Sequence, residues 1–230
     1  MTVTPPMRQI PLPLATDAAP SFDSFLPGTG SANAAAVAHL RALAMPGAPV
    51  YLWGPSGSGK THQLSALVHE AQQRGQRAVV FDPRGQAPLQ GDTLLAVIDD
   101  CESLDDAAQA DAFRLFVDAS TSGVQIVAAG RVPPVDLPLR EDLRTRLGWG
   151  PVFALQPLAE DPTRAVLRRE ADRRGIFLAD EVMDYLLTRF ARDLKHLMQL
   201  LDRLDTFALA RSRNVTVPLI RQMLDEEPAA

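Results

Sequence analysis

Residues Gly54-Pro55-Ser56-Gly57-Ser58-Gly59-Lys60-Thr61 satisfy G-x-x-x-x-G-K-[ST] at every fixed position. That spacing predicts a loop that cradles phosphate. Glycines let the backbone turn its N–H groups inward and approach an anion closely. A helix opening at Lys60 adds unsatisfied N–H donors and the positive end of its dipole. Lys60 is the residue expected to reach the β- and γ-phosphates, and Thr61 the one expected to hold Mg²⁺. Downstream, Leu94-Leu-Ala-Val-Ile-Asp99-Asp100 is an apolar run ending in two carboxylates. It reads as a Walker B strand. Asp99 is expected to reach the Mg²⁺ shell and Asp100 to orient or activate an attacking water. Glu102, Asp105 and Asp106 follow, so the same stretch would otherwise pass for an ordinary buried strand leading into an acidic turn.

These residues work only if strands and helices hold them. Pro49-Val-Tyr-Leu-Trp53 reads as a short buried strand before the loop, and Lys60 to about Arg74 as the helix after it. Further strands are expected over 77–82, 94–99, 124–129 and 151–155, with helices over 31–44, 106–120 and about 139–147. Strands alternating with helices imply a parallel sheet flanked by helices. After Pro157 the pattern is helical only. Asp161-Pro162 offers an N-cap and a first-position proline. Gly175 offers a stop. Helices follow over about 180–190, 192–212 and 217–225, and Leu194, Leu197, Leu201, Leu204 and Ala208 form a stripe on the longest. The expected organisation is an extended tail over 1–20, an α/β nucleotide-binding domain over 21–157 and a small helical lid over 158–230.

The bulk properties narrow the class. A chain of 230 residues with 46% hydrophobic and 22% charged residues is an ordinary globular composition. No apolar run approaches the roughly 20 residues that span a bilayer. The N-terminus is proline-rich, with no signal-peptide pattern, so a cytoplasmic location is the default expectation. The single cysteine, Cys101, excludes an internal disulfide and reads as a packing residue. A net charge of −5 argues against general nucleic-acid binding. Of the 23 basic side chains only Lys60 and Lys195 are lysines.

The order of parts resembles an AAA+ ATPase, and within that class the DnaA-like group. Ser21-Phe-Asp-Ser-Phe25 resembles the segment that packs near the adenine in that group. Ile98-Asp99-Asp100 resembles its Walker B, and Arg144-Thr-Arg-Leu-Gly-Trp-Gly150 its arginine-finger box. The matching finger position is Arg146, with Arg144 as the alternative. Arg192-Asp-Leu-Lys-His-Leu resembles the sensor II segment, where Lys195 stands in place of arginine and Arg192 is a second candidate for the role. Lysine meets phosphate as a point charge, without a fork. Sensor I is a polar residue at the end of the fourth strand in many relatives; here the strand runs through Ala128-Ala129-Gly130, with Arg131 next. Both departures predict weak intrinsic hydrolysis. The tail holds Gln9-Ile-Pro-Leu-Pro-Leu14, which resembles a β sliding-clamp binding motif anchored by Gln9, Leu12 and Leu14.

The resemblance implies the following expectations. The chain binds ADP or ATP with Mg²⁺ and partners DnaA and the β sliding clamp. It stimulates hydrolysis of DnaA-bound ATP, with Arg146 donated across the subunit interface, and so restrains initiation of replication. AAA+ interfaces add a homo-oligomer to the candidate partners, and direct DNA binding is not expected, because the chain is acidic and ends directly after the lid. The alternatives are an autonomous P-loop ATPase and an initiation factor or helicase loader.

Overall fold

The computed structural model describes residues 20–24, 32–84, 89, 91–190, 194–211 and 213–226. The chain divides into two compact units, parting between Leu158 and Ala159. The first is a five-stranded sheet in the order β2-β3-β4-β1-β5, built from β1 Val50–Trp53, β2 Arg77–Val80, β3 Thr93–Ile98, β4 Gln125–Gly130 and β5 Val152–Ala154. Every pairing is parallel. Its helices are α1 Ala32–Arg41, α2 Lys60–Gln73, α3 Asp106–Ser122 and α4 Glu141–Leu147.

The alternation of side chains along the central strands β1, β3 and β4 explains why their runs are apolar on both sides. Val50, Leu52, Leu95, Val97, Val127 and Ala129 pack with α1 and α2 in one core. Tyr51, Ala96, Ile98, Ile126 and Ala128 turn the other way and pack with α3 and α4 in a second. A parallel sheet covered on both faces has no polar side to show. Cys101 lies wholly inside the second core, where burial pushes its thiol pKa up, and so behaves as a packing residue. α3 is capped at both ends. The Asp105 carboxylate accepts the Ala108 N–H at 2.8 Å, and Gly123 closes the helix in the left-handed region at φ 68°.

The second unit contains α5 Glu160–Arg173, α6 Asp180–Arg189, α7 Leu194–Arg211 and α8 Val217–Glu226, closed around one core. Two expectations need correction here. α5 starts earlier than Asp161 would dictate: Ala159 is its cap and makes no side-chain capping bond, so Asp161 and Pro162 stand inside the first turn. Proline is tolerated there because its missing N–H would have no intrahelical partner. The stripe of α7 is also wider than expected, since Leu200 and Phe207 are buried beside Leu197, Leu201, Leu204 and Ala208. Packing inside a small bundle recruits two flanking positions. Among the described residues no helix is long and apolar enough to cross a membrane.

Candidate functional site

The loop Gly54–Thr61 leaves the end of β1 and enters α2. Gly54 sits between neighbouring strand ends. Its N–H donates to the Gly130 carbonyl at 3.3 Å, and a Cβ there would land on the Leu155 carbonyl. Gly59 takes φ 92° as the cap of α2 and makes no side-chain capping bond. Pro55 and Ser56 are exposed, Gly57 is half-buried at φ 75°, and the Ser58 hydroxyl is buried. Lys60 is 8% exposed. Its Nζ donates to the Gly54 carbonyl at 2.7 Å and the Pro55 carbonyl at 3.0 Å. Burial lowers its pKa, while Glu102, Asp99 and Asp100 oppose that effect. The ammonium is thus largely removed from water and held by two loop carbonyls, which phosphate oxygens can replace as charge-assisted acceptors.

Residues far apart in sequence meet at the mouth of this loop. Thr61 Oγ1 donates to Asp99 Oδ2 at 2.6 Å, and Asp99 Oδ1 accepts the Asp100 N–H at 2.9 Å. A hydroxyl and a carboxylate side by side fit a small hard cation that completes its shell with water and phosphate oxygens. Asp100 is the one non-glycine residue with positive φ among the described residues, at φ 52° and ψ 46°. Aspartate tolerates this region better than most residues. The conformation leaves its carboxylate exposed beside Asp99. Strain at such a place is often part of a mechanism.

The end of β4 explains why no polar side chain stands there. A Cβ on Gly130 would collide with the Tyr51 hydroxyl and come within 3.0 Å of Glu102 Oε2. Tyr51 is fully buried, donates to the Val132 carbonyl at 3.2 Å, and its pKa is raised by burial. Arg131 turns out toward solvent. Its Nε lies 3.0 Å from Glu102 Oε1 and its backbone N–H donates to Glu102 Oε2 at 3.1 Å. Tyr51 and Glu102 thus shape the site without having been singled out from the sequence. Glu102 carried one signal, its position just after the Asp99-Asp100 pair. Tyr51 carried none until strand register set it opposite Ala128, two residues before Gly130.

This packing has a measurable consequence. Gly130→Ala is expected to destabilise the protein by about 1–3 kcal/mol, the usual range for overpacking a filled core. Tyr51→Phe in the same chain should recover part of that loss, because it removes the colliding oxygen. Chemical denaturation of the single and double variants reads the coupling. Additive losses would show that the hydroxyl is not the obstacle.

α4 and the turn after it carry the arginines. Arg140 pairs with Asp142 at 2.6 Å, and Arg144 Nη1 donates to the Val135 carbonyl at 3.2 Å. Arg146 is half-buried, and among the described residues its side chain makes no ion pair or hydrogen bond. Its guanidinium carbon lies 4.7 Å from the Phe113 ring centroid. Arg146 and Phe113 share an open cleft with Arg140 and with Trp149, which is 75% exposed. The backbone of Lys195 belongs to α7 in the second unit, but its side chain lies outside the described residues. So do Arg192, Phe25 and the tail residues Gln9, Leu12 and Leu14.

Comparison with known proteins agrees with this anatomy. Residues 160–224 match the model of the "Hda, lid domain" family. Residues 47–89, around the phosphate loop, match the model of the type IV secretion-system coupling protein DNA-binding domain. An uncharacterized protein of Haemophilus influenzae is 32% identical over 187 residues, which cover 76% of this chain and 80% of that one. The fold is similar to domain III of the replication initiation protein DnaA from Thermotoga maritima, with TM-score 0.73 and 21% identity, covering 90% of this chain and 95% of that one. It is also similar to AMPPCP-bound DnaA from Aquifex aeolicus, with TM-score 0.64 and 21% identity, covering 80% of this chain and 64% of that one.

Proposed function

We propose that this chain, which belongs to the Hda/DnaA-like AAA+ proteins, is a nucleotide-binding regulator of replication initiation that stimulates hydrolysis of DnaA-bound ATP together with the DNA-loaded β sliding clamp. The observation that carries this reading is Arg146. Its neighbours Arg140 and Arg144 are committed to Asp142 and to the Val135 carbonyl, whereas Arg146 holds a charge with no acidic partner among the described residues. A guanidinium of this kind, offered to the γ-phosphate on another subunit, stabilises charge that develops in the transition state.

The chain's own nucleotide, ADP or ATP, is assigned to the loop 54–61. Lys60 would exchange the Gly54 and Pro55 carbonyls for phosphate oxygens. AMPPCP-bound DnaA supports a nucleotide in this fold. Thr61 and Asp99 would hold Mg²⁺, which neutralises phosphate charge when bound. Asp100 is assigned to orienting water and Lys195 to the sensor II role. Hydrolysis in cis is expected to be slow, because the Tyr51 hydroxyl fills the space a water-positioning side chain would need at Gly130. The chain is taken to work in the cytoplasm, and a homo-oligomer built through the same AAA+ surfaces is compatible with this role.

The direct test is hydrolysis of DnaA-bound ATP with and without this protein and DNA-loaded clamp. Stimulation that needs both components supports the reading; no stimulation overturns it. An autonomous ATPase is the second reading, favoured by the contact of Thr61 with Asp99 and by the exposed Asp100 carboxylate. Single-turnover hydrolysis by the chain alone, as fast as the stimulated reaction, would establish that alternative instead.

The tail has its own expected result. Replacing Gln9, Leu12 and Leu14 together with alanine should remove clamp binding and leave nucleotide affinity unchanged. A proline-stiffened peptide places a few apolar side chains in a groove at low ordering cost, so losing its anchors removes most of the contact. Full-strength capture of the clamp by the triple variant would refute the assignment.

A further inference from the structure

We propose that Phe113 is a positioning residue for Arg146, holding the guanidinium against its ring so that the charge is presented outward in one orientation. The inference rests on the reading of Arg146 as a finger acting on a partner's nucleotide.

The geometry comes from two helices. α3 buries Ala108, Ala112, Leu115, Phe116 and Ala119 against the sheet. Phe113 follows Ala112 and is half-buried, at the flank of that face. α4 packs beside α3 and brings Arg146 to the same ring, with its guanidinium carbon 4.7 Å from the centroid. Arg140 also approaches the ring, at 5.8 Å, but its charge is already paired with Asp142. Arg144 is tied to the Val135 carbonyl. Among the described residues, Arg146 alone of these arginines relies on an aromatic face for its placement.

The chemistry favours this device over a carboxylate. A carboxylate would hold the arginine but neutralise the charge that a phosphate needs. A ring attracts the cation through its quadrupole and leaves the N–H donors free at the guanidinium edge. It also restricts a long, rotamer-rich side chain before the partner arrives, which lowers the ordering cost at the moment of contact. Orientation matters because a small misplacement of a catalytic contact costs rate steeply.

The test uses the full chain with DnaA-bound ATP and DNA-loaded clamp. It measures the plateau rate, the half-saturating concentration of this protein and its thermal midpoint. Phe113→Leu keeps apolar bulk but removes the ring. It is expected to lower the plateau rate by roughly 3–10-fold, in keeping with a partly exposed cation–π contact, to leave half-saturation unchanged and to lower the melting point only slightly. Phe113→Tyr keeps a ring and should retain the rate. Phe113→Leu added to Arg146→Ala should cause no further loss. Full activity of Phe113→Leu, or an equal loss in Phe113→Tyr, overturns the proposal while the finger reading stands. So does a full additional loss in the double variant, or an effect confined to half-saturation and melting. Full activity of Arg146→Ala removes the finger reading, and this inference with it.

Discussion

Arg146→Ala is expected to lower the stimulated hydrolysis of DnaA-bound ATP by about 10²-fold or more, because the finger role proposed for it is a contact made in the transition state. Binding of ADP to the loop 54–61 and binding of the clamp should persist. Neither is assigned to Arg146: the loop 54–61 stands between β1 and α2, and the segment proposed to bind the clamp is Gln9–Leu14. The fold should persist too, since the side chain has no hydrogen bond or ion pair to lose among the described residues. Arg144→Ala is the matched control. Arg144 spends its guanidinium on the Val135 carbonyl, so its loss should loosen a local turn and leave most of the stimulation. Normal stimulation by Arg146→Ala with loss in Arg144→Ala would move the finger to Arg144. Normal stimulation by both variants would leave the regulatory reading without a mechanism.

The second large effect is expected at the chain's own nucleotide. Lys60→Ala should weaken ADP binding by about 10²-fold or more, because charge-assisted hydrogen bonds to phosphate are lost and the phosphate charge is left uncompensated. The loop should keep its shape. Gly54, Gly57 and Gly59 set its turns through backbone conformation, and alanine is well suited to the first turn of α2. Lys60 does donate to two carbonyls of the loop, so a small loss of stability is expected alongside. Calorimetric titration with ADP, together with a thermal melt, separates the two effects. Unchanged ADP affinity in a folded variant would sink the assignment of the loop.

Local pattern determined a good deal of this protein. The glycine loop between β1 and α2 was legible because glycine, lysine and threonine at fixed spacing state a backbone requirement within one short stretch. The central strands β1, β3 and β4 were legible because a sheet covered on both faces demands continuous apolar runs there, and the edge strands β2 and β5 from shorter, half-exposed apolar stretches. The change to helices after Pro157 was legible for a similar reason: helical periodicity replaces those runs. Boundaries drifted by up to three residues, as at the start of α5 at Ala159 and the end of α1 at Arg41, and Leu200 and Phe207 were missed because bundle packing decided their burial.

Long-range pairing decided the rest. The order β2-β3-β4-β1-β5 sets Gly54 beside Gly130 and Leu155 and brings Thr61 to Asp99, and none of these proximities is written in local periodicity. The sequence showed that no polar residue ends β4. Only the register of β1 against β4 revealed that the Tyr51 hydroxyl occupies that space. In the sequence, position in the box put Arg146 first and kept Arg144 as the alternative, because two arginines of the same chemistry stand two residues apart on one helix. Tertiary structure separated their surroundings, since α3 sets an aromatic ring against one while the Val135 carbonyl engages the other.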